Sequence, residues 1–146
     1  MHSLNDLCID ASDPTEEVQK ALEHLLDYLA THPNAEIIYR ASDMQLQIDA
    51  DAAFLVAKRA RSRAGGYHYL SNFDETLFNG PIYVLAKIIK RVMGSAAEAE
   101  CGSLYMNAQD AVPFITTLEE LGHKQQPVTL RTDNSTAKGF MNREIK

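Results

Sequence analysis

Cutting a phosphodiester with two divalent ions needs several carboxylates that converge on one point. Magnesium takes hard oxygen ligands, and paired ions clamp the attacking and leaving oxygens. The sequence offers carboxylates at three suggestive places: Asp49 and Asp51 at the end of an extended stretch, Glu98 and Glu100 at the start of a helical one, and Asp133 at the end of another extended stretch. Each lies at an element terminus, where a rigid sheet can present it. A plainer reading competes, in which acids at strand ends are solvated turn residues or helix caps. Residue spacing alone leaves both open. Cys8 and Cys101 lack zinc-ligand spacing and are too few for a disulfide framework, so reduced thiols and a cytoplasmic or nuclear setting are expected. His68, between Tyr67 and Tyr69, reads as a strand residue, and the three tyrosines Tyr67, Tyr69 and Tyr83 as packing groups.

The elements that must position these acids follow from local pattern. Residues 1–12 carry no period and are expected to be a flexible N-terminus. A helix is predicted over 13–34, capped by Asp13, with Pro14 first and Glu16 closing a capping box. Val18, Leu22, Leu25, Leu26 and Leu29 form its stripe, and THPN stops it. The Ile37-Ile38-Tyr39 segment is a short strand candidate. Leu46, Ile48 and Ala50 then alternate with Asp49 and Asp51, which strand geometry puts on the face opposite Leu46 and Ile48. A basic loop with Lys58, Arg59, Arg61 and Arg63 leads through Gly65-Gly66 into a second strand, YHYLS, and residues 81–91 suit a third.

Ser95 and Glu98 form a capping box for a helix with the stripe Ala97, Cys101, Leu104, Tyr105 and Ala108. A separate helix is predicted from Ala111 to Leu121, with Asp110 as cap, Val112, Ile115 and Leu118 inward, and Gly122 as its end. Val128, Leu130 and Thr132 alternate as a fourth strand before a last short helix. Three consecutive strands suggest an antiparallel meander, and the helical crossover lets the fourth join in parallel. The fold class is α/β with a mixed sheet.

The length of 146 residues, 45% apolar and 23% charged, suits one soluble domain with an added helix. No apolar run reaches the ~18–20 residues of a membrane span, so no membrane partner is expected. The start shows no secretory signal pattern. Charge is uneven: residues 1–36 carry net −7 and the remainder net +1. A total of −6 argues against strong nonspecific binding of nucleic acid, but leaves room for a local basic surface.

Several stretches together resemble the ribonuclease H domain that follows reverse transcriptase in copia-type retrotransposon polyproteins. They are HLLDYLATHPNAEIIYRASDMQLQIDADAAFLV, ARSRAGGYHYLS, NGPIYVLAKIIKRVMGSAAEAECGSLYMNA, LEELG and LRTDNSTAKG, in the family's order. The resemblance implies a ribonuclease H-like mixed sheet over residues 35–146, with three antiparallel strands plus a parallel fourth. It also implies two-metal hydrolysis, with Mg2+ or Mn2+, of RNA in an RNA–DNA hybrid. A reverse transcriptase domain of the same polyprotein is the implied neighbour, joined through helix 13–34. Residue by residue, the family's first aspartate lies about fifteen residues before the second-strand glycine, which matches Asp51 against Gly66, with Asp49 as fallback. The glutamate of SAAEAE matches Glu100, and the aspartate of TDN matches Asp133. These three are the implied catalytic and metal-binding residues. Lys58, Arg59, Arg61, Arg63 and Asn134 are the implied contacts to nucleic acid. Family members add a fourth carboxylate after a fifth strand. Neither lies within residues 1–146, so the expectation is a domain lacking its fifth strand and terminal helix. A catalytically inactive remnant that only binds nucleic acid, or serves a structural role, is the alternative.

Overall fold

A computed structural model of the protein describes residues 2–12, 14–57 and 59–144. The chain divides into two units, Met1–Ile37 and Ile38–Lys146. In the first, helix α1 spans His2–Asp10 and α2 spans Glu16–Thr31. The sequence shows no period for α1. It forms where Leu4, Leu7 and Cys8 line a shared groove with Val18 and Leu22 of α2, so tertiary contact supplies what local pattern lacks. Helix α2 opens later than its predicted start. Thr15 is its cap, accepting a bond from the Val18 N–H at 3.3 Å, and Pro14 precedes the helix. The predicted cap, Asp13, lies outside the described residues. Glu16 and Glu17 in the first turn complement the helix dipole. His32 closes the helix before Pro33, with its Nδ1 3.0 Å from the Tyr28 carbonyl.

The second unit is a four-stranded mixed sheet with helices. Strands β1 (Gln45–Ala57), β2 (Arg61–Ser71), β3 (Pro81–Ile88) and β4 (Leu130–Arg131) lie in the order β3-β2-β1-β4. The first three are antiparallel, and β4 runs parallel to β1, with Ile48 opposite Leu130 and Asp49 opposite Arg131. The expected mixed sheet is therefore present. No strand forms at Ile37–Tyr39. The Ile38 carbonyl instead accepts from the Gly80 N–H at 3.0 Å, and the Asn79 side chain holds Arg40, accepting from its N–H and donating to its carbonyl, both at 2.8 Å.

Two strands are longer than expected. Strand β1 continues to Ala57 through a bulge where Leu55 takes φ 55, so Asp49 and Asp51 lie inside the strand and not at its end. The basic loop is correspondingly short. Arg59 and Ala60 reverse the chain with positive φ, while Arg61 and Arg63 belong to β2.

The two helices expected between β3 and β4 are a single helix, α3, from Ala96 to Glu120. Asp110 does not cap anything. Its carboxylate accepts from the Tyr83 hydroxyl at 2.8 Å and lies 3.7 Å from Lys87 Nζ. Pro113 sits inside the helix, where a missing N–H and ring crowding cost ~3 kcal/mol. The helix continues because its buried face continues. Ala111 and Leu118, with Phe114 and Ile115 beside them, pack on Leu46 and Ile48. Val112, expected inward, is exposed. Gly122 at φ 92 ends the helix with a paired closure, His123 N–H to Leu118 and Gly122 N–H to Glu119. Helix α4 (Ser135–Met141) follows β4, capped by Asn134. Ala137 of α4 joins Ala50 and Leu104 in the core, with Cys101 packed alongside.

Candidate metal centre

The three chain segments that carry the acids meet at one place. Strand β1 supplies Asp51, the first turns of α3 supply Glu100, and the loop between β4 and α4 supplies Asp133. One carboxylate oxygen from each lies within 4.8 Å of the others. Glu100 is buried at 5% exposure, whereas Asp51 and Asp133 are open to solvent. The Ala52 N–H sits between two of the carboxylates, donating to Asp51 Oδ1 at 2.8 Å and to Glu100 Oε1 at 3.2 Å. The Thr132 hydroxyl donates to Glu100 Oε2 at 3.3 Å. Burial raises the Glu100 pKa above its ordinary value, and the negative charges of Asp51 and Asp133 add to it, against the bonds from Ala52 and Thr132. A cation placed among the three would relieve this repulsion. The donors are all hard oxygens, which suits a divalent ion of the magnesium, manganese or calcium kind and gives a soft metal no ligand.

The two neighbouring candidate acids, Asp49 and Glu98, are engaged elsewhere. Asp49 lies 3.7 Å from Arg131, its neighbour across the β1–β4 pair. Glu98 ties down the start of α3: its N–H is capped by the Ser95 hydroxyl at 3.1 Å, and its carboxylate reaches one residue past the expected capping-box partner to accept from the Gly94 N–H at 2.6 Å.

The residues expected to touch nucleic acid fare unevenly. Lys58 lies outside the described residues. Arg59 is exposed at the hairpin turn and Arg61 is half-buried on β2. Arg63 is a correction. It is buried at 4% exposure, paired across the strands with Ala53 and Ile88, so it is no solvent-facing phosphate contact. It lies on β2, an interior strand between β1 and β3, and not in a loop. Asn134 commits its side-chain oxygen to capping α4, accepting from the Ala137 N–H at 2.9 Å.

Beneath the triad lies a buried polar row that the apolar-stripe reading of α3 missed. Ser103 and Asn107 are fully buried. The Ser103 hydroxyl donates to the Asp51 carbonyl at 2.6 Å, with the Gly65 carbonyl 3.1 Å away. Asn107 Nδ2 donates to the carbonyls of Gly65 and Ser103, both at 2.9 Å. A visible signal existed: positions 100, 103 and 107 share one helix face and are all polar.

His68 completes the row. Because Asn107 spends its amide hydrogens on carbonyls, its Oδ1 must accept from His68 Nε2–H, 2.8 Å away. His68 Nδ1 is buried with no partner, and Tyr83 and Phe114 pack against the ring. Burial lowers the His68 pKa, although Asn107 and Asp110 pull the other way. The unfolded chain takes up this proton below about pH 6.5 while the fold resists it. Stability should therefore fall as the pH drops from about 6.5 towards the lowered folded value, by at most ~1.4 kcal/mol per pH unit. Urea titrations of wild type and His68→Gln between pH 7.5 and 5.5 check this. The glutamine keeps a donor for Asn107 and should flatten the slope, and parallel slopes would exclude His68 as the cause.

No protein-family model and no curated protein matches the chain.

Proposed function

We propose that the chain is a ribonuclease H-like domain of the copia retrotransposon kind, which hydrolyses RNA paired to DNA with bound Mg2+ or Mn2+. The convergence of Asp51, Glu100 and Asp133 from β1, α3 and the end of β4 carries this reading. The sheet order supports it, because β4 runs parallel beside β1 and so delivers the loop that carries Asp133 next to the strand that carries Asp51. The resemblance of the stretches around Gly65-Gly66, Glu98–Glu100 and Thr132–Asn134 names the substrate class and the neighbouring reverse transcriptase.

Bound divalent ions would polarise a phosphoryl oxygen and neutralise charge that develops on the leaving oxygen. Asp51 and Asp133, open to solvent, would hold ions where a phosphodiester can approach. Glu100, fixed on α3, would complete the oxygen set from below. The Ala52 N–H and Thr132 hydroxyl hold the Glu100 carboxylate in place and favour its charged form.

The test is a labelled RNA–DNA hybrid incubated with the protein and Mg2+. Cleavage of the RNA strand alone, lost with EDTA and in Asp133→Asn, is the expected result. Retained binding to the hybrid with no cleavage at any Mg2+ or Mn2+ concentration would replace this reading with a binding module.

A further inference from the structure

Resting on the reading of Asp51, Glu100 and Asp133 as a metal centre, we infer that Ser103 is a positioning residue for that centre, seated by Asn107. The Asp51–Ala52 peptide group is a rigid plane whose C=O and N–H point opposite ways. Ser103 holds the carbonyl end at 2.6 Å. The N–H end meets Asp51 Oδ1 and Glu100 Oε1. Ser103 and Glu100 are three residues apart on α3, so they share a helix face with ~4.5 Å of axial rise between them. The peptide plane is thus strung along α3 between the two side chains. Its orientation decides where the two carboxylates sit relative to each other.

Asn107 keeps Ser103 in place from the next turn. Its Nδ2 bonds the Ser103 carbonyl and the Gly65 carbonyl, and Gly65 is the cross-strand partner of Asp51. Two neighbouring strands and the acid-bearing helix are therefore tied at one level. Buried polar side chains at a helix–sheet contact are costly unless bonded, and here the Ser103 hydroxyl and the Asn107 amide N–H groups bond main-chain carbonyls under the triad. Groups that orient metal ligands from behind set ion affinity strongly.

The experiment measures Mn2+ binding by the EPR signal of the free ion, alongside urea unfolding without metal. Ser103→Ala is expected to weaken Mn2+ binding roughly tenfold to a hundredfold. Ser103→Thr, which keeps the hydroxyl, restores it. Leu118→Ala, a core truncation at the other end of α3, costs more stability but leaves the affinity within about twofold, since it touches only the apolar core. If Ser103→Ala does not fold, Ser103→Cys takes its place with the same expected weakening, because a thiol is a weak donor. Wild-type affinity in the serine variant, no recovery with threonine, or an equal loss in Leu118→Ala would each overturn the positioning role alone. Absence of saturable Mn2+ binding by the wild type would overturn the metal reading and this inference with it.

Discussion

Glu100→Gln should abolish the response to divalent ions while leaving the metal-free fold as stable as the wild type or more so. In the metal-free protein, burial and two neighbouring negative charges raise the Glu100 pKa. Its folded value thus lies above the unfolded one. The stability linked to this group is full below the unfolded value, about 4.5, and is lost as pH rises through the raised folded value. At neutral pH the charged Glu100 works against the fold, and glutamine removes that charge with little change in shape. A metal reverses the balance, because its binding free energy goes only to the folded state. At a free ion concentration about 100 times Kd, the wild type gains ~2.7 kcal/mol. The variant should lose at least about a hundredfold in affinity, more than a group behind the ligands would cost, and so gain almost nothing. Mn2+ titrations followed by melting temperature check this, and cleavage of the hybrid should vanish in parallel. The Mn2+ affinity of the wild type should fall as pH drops through the raised Glu100 value, because protons compete for the same oxygen. An equal Mn2+-induced rise in melting temperature for wild type and Glu100→Gln would remove Glu100 from the ligand set.

The segments that carry the acids were legible from where they stand in the chain: Asp49 and Asp51 on an alternating strand, Glu98 and Glu100 after a helix start, and Asp133 after a second alternating stretch. The choice of Asp51 over Asp49, which share a strand face, came from the resemblance to the copia-type domain and not from pattern. The capping box also separated Glu98 from Glu100, since Ser95 and Gly94 already use Glu98. The length of β1 was not legible. Residues 52–57, AAFLVA, are apolar throughout, so alternation ceases to mark an end just where the bulge at Leu55 lets the strand run on. The arginines suffered the same way: clustered charge suggested a loop, but Arg61 and Arg63 continue a hairpin strand. In α3, Asp110 and Pro113 together imitate a helix start. Only the packing of Ala111 and Leu118 on Leu46 and Ile48 shows that the helix continues. The buried row of Ser103 and Asn107 escaped because an apolar stripe was sought. The true inward face instead alternates between apolar residues and polar groups that serve β1 and β2.

Gly66→Ala should be the most damaging of the small substitutions, costing at least ~3 kcal/mol and weakening metal binding as well. At most strand positions this change would be mildly favourable, ~0.4–1 kcal/mol, by restricting the unfolded chain. Here the added Cβ would lie 1.8 Å from Asn107 Oδ1 and 2.8 Å from its Cγ. Asn107 cannot swing aside at low cost, because it is fully buried and bonded to His68, Gly65 and Ser103. Moving it leaves His68 Nε2 without an acceptor in the core, and each buried group stripped of its partner costs ~1–3 kcal/mol. Shifting β2 instead would pull Gly66 away from Ala50 and Leu85, its partners on β1 and β3. Asn107→Ala alone should also destabilise the fold, since it orphans the same groups. The two changes should not add. With Asn107 truncated there is space for the new methyl, so Gly66→Ala should cost under ~1 kcal/mol in that background, a coupling of 2 kcal/mol or more on the scale known for contacting residues, ~0.5–3 kcal/mol. Urea unfolding of the four proteins of this cycle measures it directly. If Gly66→Ala costs the same with and without the Asn107 side chain, the glycine is required by the strand backbone itself, and the close packing of α3 on β2 is not what selects it.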